Sequence, residues 1–195
     1  MDTLDNNCPV PKLTVLGLGN ILSGDDGIGV LLVQKLAEQS QRFSCAEFVD
    51  AGVAGLRLLN LLEEVPAVLI VDSANMNLAP GESRLILPAN ISANQDEKGF
   101  SLHDISFAQT LAMAERFFSR PAAVIFGIQP KTIEQSSELS SELQHAFDEL
   151  FARLTELLDN WQHNSGAFRK ILLEPDICKR DKMLLQCLAP EICSN

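Results

Sequence analysis

One uninterrupted apolar strand restricts the fold of this chain more than any other feature. Residues 67–72 (AVLIVD) place five apolar side chains in a row and end on an aspartate. A strand that is apolar on both sides must be covered on both faces, as happens in parallel sheets that carry helices on either side. The run therefore predicts a central strand of an α/β fold.

Strands and helices are predicted to alternate along the rest of the chain. Further strands are expected at 12–17 (KLTVLG), 47–50 (EFVD), 83–87 (SRLIL) and 122–127 (AAVIFG). Helical spacing of apolar residues predicts helices at about 27–39, 56–62, 101–117 and 139–161. Strand 83–87 follows the central strand too closely for a helical crossover, so it should be antiparallel or at an edge. Together these predict a three-layer α/β/α fold, with helices on both faces of a mostly parallel, five-stranded twisted sheet.

Length and composition predict one domain with a tail. A chain of 195 residues with 46% hydrophobic content can bury one good core and is short for two. We expect a single α/β domain over residues 1–165 and a C-terminal tail over 166–195, to which no structure is assigned. The polar stretch 88–99 is predicted to be a mobile loop.

Charge and hydropathy exclude several functions. A net charge of -11 disfavours binding to nucleic acid or to anionic membrane surfaces. The N-terminus lacks an apolar signal core, and no apolar run approaches the roughly 20 residues that span a bilayer. We therefore expect a cytoplasmic protein, in which the five cysteines, none in a zinc-like CxxC pair, would be free thiols.

Acidic residues follow three of the predicted strands. Asp25 and Asp26 lie in the loop GLGNILSGDDGIG (17–29) after strand one, Asp50 ends strand two, Asp72 ends strand three, and His103 opens a predicted helix. Loops at the carboxyl ends of parallel strands gather at one edge of a sheet. Two carboxylates and an imidazole can bind Zn, Ni, Fe or Mn and leave positions open for water or substrate. Because neighbouring side chains in a turn diverge, one of Asp25 and Asp26 is expected to face the metal.

Structural roles remain open for the same residues. Asp25 or Asp26 could accept hydrogen bonds from the N–H groups that begin the first helix. Asp50 and Asp72 could cap turns, and His103 could be a surface histidine. His145 and His163, on or just after the long helix, are interpreted as surface residues.

Two other functions were tested against the first loop. A dinucleotide site needs GxGxxG, but Leu22 occupies the position of the third glycine, so that fingerprint is broken. A magnesium-binding phosphoacceptor domain also has an acidic pair after strand one and an aspartate after strand three. Here, however, seven residues separate Gly17 from Asp25, and Lys131 follows Pro130 instead of preceding it. Both differences disfavour a phosphoacceptor domain, which remains an alternative hypothesis.

The motifs in order resemble a known family. GLGNILSGDDGIG, then DAG (50–52), LIVDS (69–73), LAPGE (78–82), His103 and FGIQP (126–130) look like the maturation endopeptidases of nickel–iron hydrogenases. The resemblance covers roughly residues 13–158. It is closest to the branch that processes the large subunit of the formate-linked hydrogenase, hydrogenase 3, and the proteases of bidirectional hydrogenases are similar enough to remain an alternative.

The resemblance implies an activity and a site. Members remove a C-terminal peptide from the large-subunit precursor after nickel has been inserted. Carried over to this chain, Asp26, Asp72 and His103 would contact the metal and act in catalysis. Gly19, Asn20, Asp25 and Asp50 would support the site or sense the substrate. Nickel could arrive with the precursor, and Zn or Cd could occupy the same position.

The chemistry of cleavage has two alternatives. Water attacks a carbonyl polarised by the metal, or a carboxylate such as Asp26 or Asp72 acts as general base while the nickel of the precursor positions the bond. A nickel-binding assembly chaperone without proteolytic activity is the alternative function. The expected partner is the nickel-loaded precursor, and the protein is expected to be a monomer.

Overall fold

The computed structural model describes residues 12–53, 57–63, 65–92, 120–164 and 170–193. Within them a five-stranded sheet has the order β2-β1-β3-β5-β4. Its strands are β1 (Leu13–Leu18), β2 (Ala46–Gly52), β3 (Ala67–Ser73), β4 (Ser83–Ile86) and β5 (Ala122–Ile128). All neighbouring pairs are parallel except β4 with β5, which is antiparallel at the edge. The predicted sheet is confirmed, including its antiparallel edge strand.

The helices described are α1 (Ile28–Ala37), α2 (Arg57–Glu63), α3 (Pro88–Ser92), α4 (Ser141–His163) and α5 (Ile177–Leu188). A 3-10 turn, Gly24–Gly27, precedes α1, and another, Pro190–Cys193, follows α5. The prediction of a loop over 88–99 was wrong for its first residues, which form α3. Pro88 fixes a helical φ at the first position of that helix, so a polar composition did not prevent it. The predicted helix at 101–117 lies outside the described residues.

Helices lie on both faces of the sheet. Leu69 and Val71 of β3 belong to the core cluster that α1 and α4 share, whereas Val68 and Ile70 belong to the cluster of α2. All seven residues of β3 are buried. The alternation follows the two-residue period of a strand, and it confirms the three-layer α/β/α architecture.

Helix α4 packs one apolar stripe against this core. Ser140 is its N-cap, and the Ser140 hydroxyl accepts a hydrogen bond from the Leu143 amide. The buried positions recur at helical spacing and are Leu143, Leu150, Leu154, Leu157, Leu158 and Trp161. The stripe is therefore core, as the sequence predicted.

The C-terminal segment, to which the sequence assigned no structure, contains α5. Leu184 and Leu188 of α5 are fully buried in the same cluster as the first, third and fifth strands. Asp181 forms a bidentate ion pair with Arg120, with distances of 2.9 and 2.8 Å, and also accepts a hydrogen bond from the Ala123 amide. The buried positions of α5 recur at helical spacing and are Asp181, Leu184, Cys187 and Leu188, but the charged run 179–182 (KRDK) obscured this stripe in the sequence.

One expectation about the cysteines was wrong. Cys45 is disulfide-bonded, while Cys178 and Cys187 are free thiols. A disulfide depends on which residues the fold brings together, and the expected redox compartment could not supply that information. In the described part of the chain, none of the helices has the length and apolarity required to cross a membrane.

Candidate active site

The carboxyl ends of β1, β2 and β3 lie side by side. In the register of the sheet, Gly17 of β1 is paired with Asp50 on one side and Val71 on the other. Beyond these pairs the Gly19 amide donates a hydrogen bond to the Gly52 carbonyl over 3.1 Å. The loop after β1 therefore meets the ends of β2 and β3 at one edge, as the topology of an open parallel sheet requires.

Asp26 is the carboxylate at the centre of this edge. It is 1% exposed, although it lies in a loop region. Its Oδ2 accepts a hydrogen bond of 2.6 Å from the Asn20 amide, and its Oδ1 accepts one of 2.9 Å from the Ser73 hydroxyl. Donors on both oxygens fix the orientation of the carboxylate. Asn20, predicted as a supporting residue, contacts Asp26 through its backbone.

Gly19 allows the chain to fold closely around Asp26. Its φ is +119°, a conformation that side chains other than glycine rarely adopt. A Cβ added there would lie 1.8 Å from the Asp26 carbonyl oxygen. The close approach of these two backbones places the next amide, that of Asn20, against the Asp26 carboxylate. The supporting role predicted for Gly19 has this steric basis.

Asp25 has a different set of partners from Asp26. It is fully buried and accepts hydrogen bonds from the amides of Lys131, Thr132 and Ser140 over 2.8, 3.2 and 2.7 Å. The Ser140 hydroxyl donates a fourth, over 2.8 Å. Asp25 therefore joins the first loop to the loop after β5 and to the start of α4. The interpretation of Asp25 as a cap of the first helix was wrong, because its side chain points to a loop more than 100 residues away in sequence.

Lys131 extends this connection to α4. Its ammonium group forms an ion pair of 2.7 Å with Glu142, in the first turn of that helix. The hydrogen bond from Lys131 is the main reason that the pKa of Glu142 is lowered to about 2. Both partners are exposed, so the pair contributes little to stability. The side chain of Lys131 nevertheless contacts the first turn of α4, and its backbone amide binds Asp25, which also binds the N-cap residue Ser140.

Asp50 lies at the end of β2 and is exposed. Its Oδ2 accepts a hydrogen bond of 2.9 Å from the side chain of Gln34 on α1. This position is on the same edge as Asp26 but on the solvent side. A contact with an incoming protein is therefore sterically open to Asp50.

Asp72 is 6% exposed and lies at the end of β3, paired with Gly127 of β5. By strand alternation, the next residue, Ser73, shares the sheet face of Val71, where α1 packs. Ser73 is the β3 residue that hydrogen-bonds to Asp26. The sequence analysis did not identify Ser73, although its place directly after a strand-ending aspartate was a usable signal. His103, the third predicted metal contact, lies outside the described residues.

Gln129 is a second residue that the sequence analysis did not identify. Its side chain is 7% exposed, and its Oε1 accepts hydrogen bonds from the amides of Met76 and Leu78 over 2.7 and 3.2 Å. Its Nε2 donates to the Pro130 carbonyl over 3.0 Å. Gln129 thus fixes the loop that leaves β3 just after Asp72 and Ser73. A buried glutamine next to a proline at a strand end was the available signal.

A cavity of about 420 Å³ lies on the far side of this loop, between the start of β4 and α4. Charged side chains of both signs line it, namely Glu82, Arg84, Glu149 and Arg153. Arg153 lines the cavity, donates a hydrogen bond to the Ser83 carbonyl and lies over the ring of Phe126. None of the predicted site residues lines this cavity.

The donor chemistry of the site fits a divalent metal only in part. Asp26 and Asp72 are buried carboxylates, in the turn after β1 and at the end of β3, and carboxylate oxygens suit borderline divalent ions. By strand alternation, however, Asp72 lies on the opposite face of β3 from Ser73, the residue that binds Asp26. Over the ranges that the structure describes, no cluster of three or more His, Cys, Asp or Glu side chains could hold a metal ion. A metal site built from this set therefore depends on His103.

A family comparison decides what kind of protein this is. Residues 30–157 match the model of the hydrogenase maturation protease family. The chain belongs to that family. The matched residues include four of the five strands of the sheet, together with Asp50 and Asp72. Strand β1 and the first loop, with Asp26, lie directly before the matched range. The family resemblance of the motifs is therefore confirmed.

Curated relatives of this hydrogenase maturation protease family member are hydrogenase expression/formation proteins. HupD of Rhodobacter capsulatus is 32% identical over 124 residues, which are 63% of this chain and 59% of that protein. HupD of Rhizobium leguminosarum bv. viciae is 26% identical over 176 residues, 87% of each chain. The match spans only about three fifths of the length of the Rhodobacter capsulatus protein and of HoxM from Azotobacter vinelandii.

Solved structures of the family have the same fold. The hydrogenase maturating endopeptidase HybD from Escherichia coli aligns with a TM-score of 0.62 at 24% identity, covering 76% of this chain and 93% of that one. The endopeptidase HycI from Escherichia coli aligns with a TM-score of 0.59 at 25% identity, covering 80% and 94%. These alignments support the three-layer fold independently of the sequence motifs.

Proposed function

We propose that this protein is an endopeptidase that removes the C-terminal peptide of a nickel–iron hydrogenase large-subunit precursor after nickel insertion. The observation that carries the proposal is the buried Asp26 carboxylate, held by Asn20 and Ser73 at the edge where family membership and topology predict the active site. Asp25, equally buried in the same turn, binds the loop after β5 and the start of α4, whereas Asp26 binds Asn20 and Ser73 where the loops after β1 and β3 meet.

Asp26 is proposed to act on the bond to be cleaved. An ionised carboxylate with a fixed orientation can accept the proton of an attacking water, which typically contributes about 10²- to 10⁴-fold to a rate. Two donors hold the Asp26 oxygens in place, so the carboxylate needs no reorganisation when the substrate arrives. Asp72 would supply a second carboxylate from the neighbouring strand.

Nickel enters this proposal as part of the substrate. Asp26, Asp72 and the undescribed His103 would contact the nickel that the precursor carries, and Zn or Cd could bind the same donors. A bound ion would offset the repulsion between the two carboxylates and would polarise a carbonyl near it. Asp50, exposed at the same edge, would meet the precursor surface and sense whether it is loaded. We propose a monomeric, cytoplasmic enzyme.

An intact-mass assay tests the proposal. The protein is mixed with the large-subunit precursor from its own organism, loaded with nickel or nickel-free, and the loss of a C-terminal peptide is measured. We expect loss only from the loaded precursor. Asp26→Asn should lower the rate at least 100-fold. Asp148→Asn, the same change at an exposed position of α4, should leave the rate unchanged.

Three outcomes would count against the proposal. Equal cleavage of the nickel-free precursor would show that the reaction does not require nickel. Equal rates for Asp26→Asn and the wild type would show that the Asp26 carboxylate takes no part in cleavage. Nickel-dependent binding of the precursor without any cleavage would favour an assembly chaperone.

A further inference from the structure

Exposed apolar side chains concentrate around the candidate site. Among the described residues, seven large hydrophobic side chains are exposed, and three of these lie in the C-terminal segment, at Leu172, Leu173 and Ile192. The other four lie on loops that follow β1, β2 and β5, and we call them the apolar collar: Ile21, Leu22, Val53 and Ile133. Their exposed fractions are 45%, 62%, 66% and 39%. Single exposed hydrophobic residues are ordinary, but a group on one edge marks an interaction surface.

Backbone hydrogen bonds hold the collar loops together. The Ser136 amide donates to the Leu22 carbonyl over 3.0 Å, and the Gly24 amide donates to the Ser136 carbonyl over 2.8 Å. The loop of Leu22 is thereby joined to the loop that carries Ile133. The loop of Leu22 is also joined to the end of β2, beside Val53, by the bond from Gly19 to Gly52.

The collar loops are braced from below by the site itself. Asp25 binds the amide of Thr132, next to Ile133, and Asp26 binds the amide of Asn20, next to Ile21. The backbone of Ile21 also lies against Gly27, where an added Cβ would come within 2.7 Å of the Ile21 Cα. A surface whose backbone is fixed before binding loses little conformational entropy when a partner docks.

We propose that the apolar collar docks an apolar segment of the polypeptide that is cleaved, and so brings the bond to the Asp26 carboxylate. This inference rests on the proposed function, because it takes the large-subunit precursor as the occupant. The same short loop carries Ile21, Leu22 and Asp26, which places the collar beside the proposed catalytic carboxylate. Apolar contact also allows docking despite the net charge of -11, because the collar side chains carry no charge.

Kinetics and binding together test this inference. Leu22→Ser, Val53→Ser and Ile133→Ser each replace a collar side chain, and Leu173→Ser is the matched control, because Leu173 is 82% exposed in the C-terminal segment. Cleavage of nickel-loaded precursor gives kcat and KM. Titration of the same precursor into Asp26→Asn protein, with and without each collar change, gives Kd without turnover. Thermal unfolding shows that each variant is folded.

We expect Leu22→Ser combined with Ile133→Ser to raise KM and Kd at least tenfold and to change kcat less than threefold. Leu173→Ser should change neither KM nor Kd. Unchanged KM and Kd in the folded collar variants would overturn the inference while cleavage by the wild type still stood. An equal rise for Leu173→Ser would also overturn it, because the effect would then be unspecific. If the wild type binds the precursor but does not cleave it, a selective rise in Kd still supports the collar, and only the proposed protease activity fails.

Discussion

The Ser73 hydroxyl donates a hydrogen bond of 2.9 Å to Asp26, across 47 positions of sequence. The bond joins the last residue of β3 to the 3-10 turn after β1. Because Ser73 follows Asp72 directly, the end of β3 supplies both Asp72, a predicted site carboxylate, and the hydroxyl that orients Asp26. The relationship makes Ser73 a positioning residue whose effect can be measured.

Ser73→Ala should lower kcat about tenfold, because a hydrogen bond to a charged group is worth about 1.5–3 kcal/mol. Ser73→Thr keeps a hydroxyl and should recover part of the rate. Initial rates of precursor cleavage by mass spectrometry measure the effect, with KM determined in parallel. If Ser73→Ala cleaved at the wild-type rate, the proposed orientation of Asp26 by Ser73 would be wrong.

Asp25→Ala should lower the free energy of unfolding more than the same change at an exposed aspartate. The change leaves the part-buried amides of Lys131 and Ser140 without their carboxylate acceptor. Unsatisfied buried groups cost about 1–3 kcal/mol each, so we expect a loss of about 3 kcal/mol in the free energy of unfolding. Urea denaturation measures this, and Asp148→Ala, at an exposed position, should cost less than about 0.5 kcal/mol.

Gly19→Ala should disrupt the first loop, whereas Gly52→Ala should be milder. Both glycines have positive φ, +119° and +51°. At Gly19 an added Cβ would overlap the Asp26 carbonyl, but at Gly52 the nearest atom is an Asp50 oxygen at 3.7 Å. Gly52→Ala therefore incurs only the left-handed backbone penalty of about 1–2 kcal/mol. Cleavage rates and unfolding curves of the two variants should differ, and equal effects would contradict the close approach.

Asp181→Ala should show that the C-terminal segment is part of the folded core. The change breaks the buried bidentate pair with Arg120 and removes the acceptor of the Ala123 amide, at a cost of about 3–5 kcal/mol. Asp159→Ala is the comparison, because its ion pair with Arg42 is on the surface and should be worth less than about 1 kcal/mol. Chemical denaturation distinguishes the two. Similar losses would mean that α5 is loosely attached.

Cys45, Cys178 and Cys187 should differ in reactivity. Cys178 is exposed, while Cys187 is buried and burial raises the pKa of its thiol. Since the thiolate is the reactive form, iodoacetamide should label Cys178 first in the native protein, and Cys187 only after unfolding. Cys45 should require reduction as well, because it is disulfide-bonded. Peptide mapping by mass spectrometry reads each position. Rapid native labelling of Cys187 would contradict the packing of α5.

The strands could be predicted well because their physical signal is local. Five continuous apolar residues in β3 and the quick return to β4 each depend on neighbours in sequence. The C-terminal helix α5 was not predicted, because its buried stripe includes the charged Asp181, whose ion-pair partner Arg120 is 61 positions away in sequence. The short helix α3 was not predicted because its composition is polar. Its first residue, Pro88, favours a helical start that the composition did not indicate.

The sequence by itself determined the layered fold and the edge of the sheet at which the strand-end residues Asp26, Asp50 and Asp72 lie. Those follow from hydrophobic periodicity and from the ends of parallel strands. Only the tertiary structure decided that Asp25 holds the loop after β5, that Ser73 and Asn20 orient Asp26, and that four apolar side chains surround the edge. The reason is that a hydrogen bond between residues 47 or 106 positions apart leaves no periodic trace in the chain.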